Sequence, residues 1–541
     1  MSRRFAYSIL LLAIAGTGAG TGIGCGPTKE DWKLAPPRDP GQIGVLEMTS
    51  DGRPATLPTS LPTTFPASRP ALSQAKLNLA RIRELALRNN LDLKVSVYSP
   101  QIAKTQVSQE EAKFESTFFT EARAGTIDPA TTRPVIGSTQ TDFESVRPGI
   151  TIPLRTGGTV EVSSPFARTS SEDVTYGSDI SFSISQPLLR NAGQESAEYS
   201  IRIAGYQQQI SRMQTRLQVT TVLAAVDRTY WRLYAARRQL EVKKQQYDLA
   251  GTLLEQARRL VAAGKSAQIE ITRAESGLAD QLDAIITVDN VVRERQRDLK
   301  RLLNDTQFDD DTLILPGSDP NPIHYTITAQ HLVDSAMENR SELLQAQLQL
   351  AQDALTINYA RNQALPSLAL QYTYGVHGLG DTPNDAYDMT FRKDYQDQTA
   401  MLRLDVPIGN EAAKSQLRRS LLQRQQDLSS KAAQSLQIRK DVLDAIDTLQ
   451  ASWNRIIASR ARTVLAARTV AAEQRQFNQG LRTATDVLDA QTKLADAQSS
   501  EIAALTDYEI AQIDLAFATG TLLGQARVDW EKQIPTTQPA Q

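Results

Sequence analysis

The chain has 541 residues, 40% hydrophobic but only 6% aromatic, with a formal net charge of −2. That length would allow three or four compact domains, yet so few aromatics, beside long stretches rich in Ala, Gln, Leu and Arg, describe extended helices with narrow apolar seams. Near-neutral charge with acids and bases interspersed leaves no field that would recruit nucleic acid.

Residues 1–24 read as a signal peptide. Arg3 and Arg4 give a basic start, and the apolar run Phe5–Ala15 is too short to remain as a spanning helix. Small residues then lead to Cys25, the sole cysteine, in a context similar to a bacterial lipoprotein cleavage site, although Gly22 stands where that pattern favours Leu. Cys25 is the expected lipidation site. A single cysteine excludes an intramolecular disulfide and a Cys-based metal centre. Residues 25–71 are expected to be an extended tether, because nine prolines fall between Gly26 and Pro70 and neither helices nor central strands tolerate that density. No later run approaches 18 apolar residues, so any membrane passage must be made by strands.

Beyond the tether the sequence carries two copies of one unit, at 72–303 and 332–523, separated by a connector at 304–331 and followed by a tail at 524–541. Four landmarks recur in order: a short helix ending near Asn89 and Asn339; a pair of alternating strands; a Pro before a polar helix, Pro187 and Pro407; and a Gly within a helical run, Gly264 and Gly480. Their offsets of 250, 220 and 216 residues drift only as loop insertions allow.

The strands show period two. Ile180, Phe182 and Ile184 alternate with serines; Leu368, Leu370, Tyr372, Tyr374 and Val376 alternate with Ala369, Gln371, Thr373 and Gly375; Ala400, Leu402, Leu404, Val406 and Ile408 alternate with Met401, Arg403 and Asp405. This pattern fits a strand with lipid on one side and water on the other, and equally a soluble sheet with one wet face. The helices separate these readings. Unbroken patterns at 193–263 and 411–479 are each ~100 Å long at the rise of an α-helix, too long for the interior of a globular domain. Their seams, Val226, Tyr230, Leu233, Arg237, Leu240, Lys244 and Tyr247, and Leu443, Ile446, Leu449, Trp453 and Ile456, have coiled-coil spacing. Each turns at its Gly and returns, at 267–303 and 483–523. Four clear strands cannot close a barrel around water, and lipid forbids open edges, so strands from several copies must close one barrel.

The strongest motif is Phe477–Leu494 (FNQGLRTATDVLDAQTKL), continuing into Ala516–Leu523 (AFATGTLL). With Gly264–Ala274 (GKSAQIEITRA) and Ser185–Gly193 (SQPLLRNAG), it resembles the TolC family of outer-membrane efflux channels. The likeness runs from about residue 72 to residue 523 with every element in order. It implies a membrane β-barrel plus an α-helical barrel built from a duplicated strand–strand–long helix–turn–helix unit. It further implies a homotrimer in outer-membrane lipid, belted by the segments around 72–113, 304–345 and the C-terminus, whose helix turns dock a periplasmic adaptor and an inner-membrane transporter. Residues 142–166 depart from the pattern with an extra hairpin signalled by Gly157-Gly158, which either adds two barrel strands per copy or extends from the outer surface. Ser341 stands where the family often has Pro.

The resemblance makes the tip the expected gate. Asp486 and Asp489, three apart on the returning helix, would form stacked carboxylate rings if their face lines the pore; the alternative for Asp486 is helix capping with Thr483 as N-cap. Glu270 is its counterpart in the first copy, where Arg273 replaces the second acid. Arg482 matches a family Arg that holds the closed state between protomers, and Phe477 occupies the place of a frequent gating Tyr. Gly264 and Gly480 are expected to supply positive φ at the turns.

No catalytic, cofactor or metal site is expected. His324, His331 and His377, placed in the connector and a strand loop, lack metal-ligand spacing; the acidic run 309–311 reads as a charged loop; and Trp231 and Trp453 read as packing residues. The expected function is export of small molecules or proteins through a trans-periplasmic conduit. The alternative is a periplasmic coiled-coil lipoprotein acting as adaptor or scaffold, which would have one hairpin beside compact β domains rather than two hairpins each preceded by strands.

Overall fold

A computed structural model describes residues 73–128, 140–170, 173–305, 307–309 and 311–528. The signal segment, Cys25 and the tether lie outside the described residues.

The first copy opens with β1 (Gln74–Leu77), α1 (Leu79–Asn89) and α2 (Leu91–Glu111). Asn78 and Asn90 start the two helices, each side-chain oxygen accepting from the amide three residues on, which satisfies an end amide that has no partner within the helix. Strands β2 (Thr117–Ile127), β3 (Thr141–Pro153), β4 (Thr159–Ser163), β5 (Phe166–Ser170) and β6 (Val174–Pro187) follow. A short α3 (Gln194–Ala197) leads into α4 (Tyr199–Ala262), which returns as α5 (Ile269–Leu303). The connector supplies β7 (Leu313–Pro316), parallel to β1.

The second copy repeats the plan: α6 (Ala329–Asn339), α7 (Ser341–Gln363), β8 (Ser367–Gly380), α8 (Pro383–Arg392), β9 (Tyr395–Asp405), α9 (Glu411–Asn478), α10 (Ala484–Ala518) and a short α11 (Leu522–Gln525). Equivalent helices have nearly equal lengths: 64 residues in α4 against 68 in α9, and 35 in both α5 and α10. At the α-helical rise the two long helices run ~96 and ~102 Å.

The long rods are not flanked by their return helices alone. Asn90 donates to the Leu302 carbonyl at 2.9 Å and Asn304 to the Asn89 carbonyl at 3.2 Å, so the end of α5 abuts the start of α2. Arg340 does the same in the second copy, reaching the Phe517 and Ala518 carbonyls at 3.4 and 3.5 Å. Each copy therefore has one continuous rod and one assembled from two helices, four rods per chain. Of the segment expected to form a belt at 72–113, only β1 and α1 lie beside the rods. α2 packs along α4 as part of the wall itself.

The seams hold in part. Val226, Tyr230 and Leu233 are fully buried, but beyond Arg237 the buried line shifts to Val242, Gln246, Ala250, Leu253 and Ala257, leaving Lys244 exposed. In α9, Val442 is buried and Leu443 exposed. An α-helix drifts against a strict seven-residue repeat, so a seam extrapolated over several turns leaves the contact face.

Candidate functional site

Strands β2, β3, β4 and β5, β6, β8 and β9 form one antiparallel sheet in that spatial order. β4 and β5 are one strand in constant register: Gly149 opposes Ser163 and Val146 opposes Phe166, with no slip between. Pro165, which has no amide hydrogen to donate, interrupts the ladder, yet its carbonyl and that of Pro148 still accept from Asp179 and Ser164 at 2.9 Å. The sheet therefore has six passes. His377, expected in a loop, lies within β8, and Val406 and Ile408 fall beyond the end of β9. β2 shows no clean alternation in the sequence, where Thr120, Ala124 and Gly125 interrupt its apolar positions.

Alternation gives the sheet two unlike faces. One carries Phe118, Ala122, Val146, Ile150, Ile152, Val160, Val162, Phe166, Ile180, Phe182, Ile184, Leu368, Leu370, Tyr372, Tyr374, Val376, Leu402 and Leu404, which the register places side by side. The other carries Phe119 and Phe143 together with charged and small polar groups that pair across strands: Arg147 with Glu161, Ser163 with Ser181 at 2.8 Å, and His377 between Asp179 and Asp397 at 3.0 Å each. α8 lies at the far end of this sheet, with the Thr390 hydroxyl donating to the Ser178 carbonyl at 2.7 Å and Tyr387 stacked on Phe166. Such a division suits a wall between hydrocarbon and water.

At the opposite end the two helical hairpins close on Gly264 and Gly480, at φ +67 and +76. The amides after them, Lys265 and Leu481, donate back to Leu260 and Gln476 at 2.9 and 3.0 Å, the hydrogen bonding of a left-handed helix C-terminus. The hairpin tips then pack on each other. Phe477 is buried against Leu253, Ala484 and Val487, and Gln474 donates to Gln256 at 2.7 Å. Glu270 is buried too; its Oε2 accepts from the Ala484 amide at 2.9 Å while Arg273 donates to its Oε1 at 2.5 Å.

Asp486 caps the same helix. Thr483 and Asp486 form a reciprocal capping box, the Thr483 amide donating to Asp486 at 2.9 Å and the Asp486 amide to the Thr483 hydroxyl at 3.3 Å. These bonds from the Thr483 backbone and then its hydroxyl hold the Asp486 carboxyl below its ordinary range. Glu270 and Asp486, from different copies, therefore both serve the first turn of α10. Asp489 is exposed and paired with Lys493 at 2.7 Å, and Arg482 folds back onto its own hairpin, to Gln476 and Glu473 at 3.0 and 3.2 Å. Sequence reasoning missed the Gln256–Gln474 link and the Arg83–Asp227 pair, in which the guanidinium Nε and Nη2 each donate at 2.8 Å to a carboxylate with no exposure. Nothing local in the sequence marks pairs so far apart.

Trp231 is buried edge-on against Tyr230 and Tyr234, and Trp453 packs on Tyr508 and His324. Among the described residues no group of three or more His, Cys, Asp or Glu side chains is arranged to hold a metal ion, and no helix is long and apolar enough to cross a membrane.

A two-faced strand wall carried on long helical hairpins defines a channel protein of the barrel-and-tunnel class. The model of the outer membrane efflux protein family matches residues 82–305 and 332–521, and the chain belongs to that family. It is 25% identical over 312 residues to the outer membrane protein TolC of Vibrio cholerae serotype O1, a match covering 57% of this chain and 69% of that protein. Among solved structures, the Campylobacter jejuni CmeC outer membrane channel superimposes with a TM-score of 0.62 at 15% identity, over 84% of this chain and 88% of that one. The outer membrane protein VceC of Vibrio cholerae does so with a TM-score of 0.59 at 14% identity, over 82% and 96%. The fold is a β-barrel sector continued by an α-helical tunnel, and the protein is an outer-membrane efflux channel whose helical part extends into the periplasm.

Proposed function

We propose that three copies assemble into one continuous conduit that receives cargo, small molecules or proteins, from an inner-membrane transporter through a periplasmic adaptor and releases it outside the cell. One observation carries this reading. Among the described residues, the sheet of each chain has an apolar face and two unpaired edges, β2 and β9, and hydrocarbon tolerates no open edge. Self-closure with other copies satisfies both edges. The conduit makes and breaks no covalent bond; its contribution is an aqueous path.

In this reading Cys25 carries the lipid anchor, and the tip is the closed end. Arg482, Asp486, Asp489, Glu270 and Phe477 hold it shut, and the exposed turns at Gly264 and Gly480 meet the adaptor. Leu481, 71% exposed beside Gly480, is an apolar contact of the kind a docking partner covers. The test is a heat-sensitive trimer band in outer-membrane fractions together with efflux. Gly480→Trp and Leu481→Trp are expected to abolish efflux while the trimer band persists. Wild-type resistance in both variants contradicts docking at the turns, and a soluble monomer contradicts the conduit.

A further inference from the structure

We infer that residues 142–170 add two strands to the membrane wall of every copy, so that the assembled barrel has six strands per chain. The inference rests on the trimeric reading above. The chain supplies the wall only as a sector, and the occupant of its β2 and β9 edges is a second copy of itself.

Three observations carry it. First, the added strands are internal to the sheet. β3 and the β4–β5 strand stand between β2 and β6 in unbroken register, so β2 cannot pair with β6 unless they are removed. Second, between Val146 and Phe166 they obey the face rule of their neighbours, whereas at the far end the Glu144–Arg168 pair lies on the apolar face. Ile150, Ile152, Val160, Val162 and Phe166 fall in line with Phe118, Phe182 and Ile184, while Arg147, Glu161 and Ser163 fall on the wet face.

Third, the hairpin runs the full height of the sheet. Its turn reaches the strand-to-helix junction, where the Gly193 amide donates to the Thr156 carbonyl at 3.1 Å and Arg155 pairs with Glu198 at 2.9 Å. The Arg155 guanidinium also lies 5.6 Å over the Phe114 ring, where the chain enters β2. Gly157, at φ +88, fits this junction only without a side chain, since a Cβ would sit 2.3 Å from the Asn191 carbonyl oxygen. An extension from the outer surface would make none of these contacts.

Geometry gives the consequence. At ~4.8 Å between strands and a tilt of ~40°, each strand occupies ~6.3 Å of circumference. Six strands from each of three copies close a wall ~113 Å round, whereas four from each close one of ~75 Å. The added hairpin thus enlarges the enclosed cross-section ~2-fold over the four-strand arrangement.

Single cysteines test this in cells, each compared with the unsubstituted protein, which retains Cys25. Ser145→Cys, Thr151→Cys and Thr169→Cys, on the wet face, are expected to react with a water-soluble maleimide at least tenfold faster than Ile150→Cys, Val160→Cys and Val162→Cys. A lipid-phase thiol reagent should give the reverse order. In parallel, Cys substitutions at Asp397, Thr399, Met401 and Arg403 of β9 are each paired with Glu121→Cys of β2 and oxidised; at least one pair should yield covalent trimers. Equal labelling of both hairpin faces in an intact trimer overturns the six-strand wall while leaving the trimer standing. A chain that stays monomeric in native gels overturns both.

Discussion

Glu270 of the first hairpin accepts a hydrogen bond from the Ala484 amide, the first residue of α10 in the second hairpin, at 2.9 Å in a buried setting. A helix-start amide has no partner within its own helix, so a side chain from the other copy supplies one. The duplicated tips thereby become a single closed unit. Removing the carboxylate in Glu270→Ala leaves that amide buried and unpaired, at a cost of about 1–3 kcal/mol. The variant should admit large hydrophilic antibiotics that wild-type cells exclude, while Glu270→Gln, which keeps an acceptor, should leak less. Equal leakage of the two variants would falsify the role given to this bond.

Acid should loosen the same turn. The Thr483 backbone and hydroxyl bonds hold the Asp486 pKa below its ordinary value of 3.8. A carboxylate with a depressed folded pKa contributes stability that is present above the ordinary value and is lost as pH falls through the lowered one. Amide protection at Thr483–Val487, corrected for intrinsic exchange, should therefore decline as the pH drops below 3.8. In Asp486→Asn it should be low already and insensitive to pH over that window.

Arg83 and Asp227 tie α1 to the middle of α4 through two 2.8 Å bonds, with Asp227 fully buried. Taking away one partner strands the other charge, which costs about 3–5 kcal/mol. Arg83→Ala should therefore reduce the amount of folded protein in outer-membrane fractions several-fold. Arg83→Ala/Asp227→Leu should recover much of the loss. A double variant as depleted as the single one counts against stranded charge as the cause.

Two glycines with positive φ separate backbone strain from steric clash. At Gly480 a Cβ would meet nothing within 4 Å, so Gly480→Ala costs about 1–2 kcal/mol of left-handed strain alone and should leave both trimer and efflux close to wild type. At Gly157 the same methyl meets a backbone oxygen at 2.3 Å, and the junction must shift. Gly157→Ala should lower the heat-sensitive trimer band several-fold, read on the same gel.

Much of this architecture was legible because duplication and periodicity are properties of long segments. Gly264 and Gly480 marked both turns, and Pro187 the strand-to-helix junction. The alternation around Leu370 and Tyr372 located a wall strand. Shorter or distributed signals did less well. Extending a heptad to Lys244 passes the point where helix drift moves the seam, and at the start of the α9 seam the buried position is Val442, four before Ile446, rather than Leu443. The place of α2 depends on Asn90 and Asn304 meeting two helices end to end, a contact between residues more than two hundred apart in sequence. At the tip, the acids were found by equivalence between copies, but sequence could not show that Glu270 and Asp486 converge on one helix start. The Gly157-Gly158 pair signals the hairpin at 142–166, but its place within the sheet follows only from the register of β3 against β2.

The most direct test of the conduit is the stoichiometry of the protein extracted from outer membranes, measured by native mass spectrometry alongside the conductance of the same sample in planar bilayers. Three chains per particle, with discrete conductance steps that Glu270→Ala enlarges or makes more frequent, are the predicted result. Single chains, or trimers that pass no ions even in the Glu270→Ala variant, would contradict it.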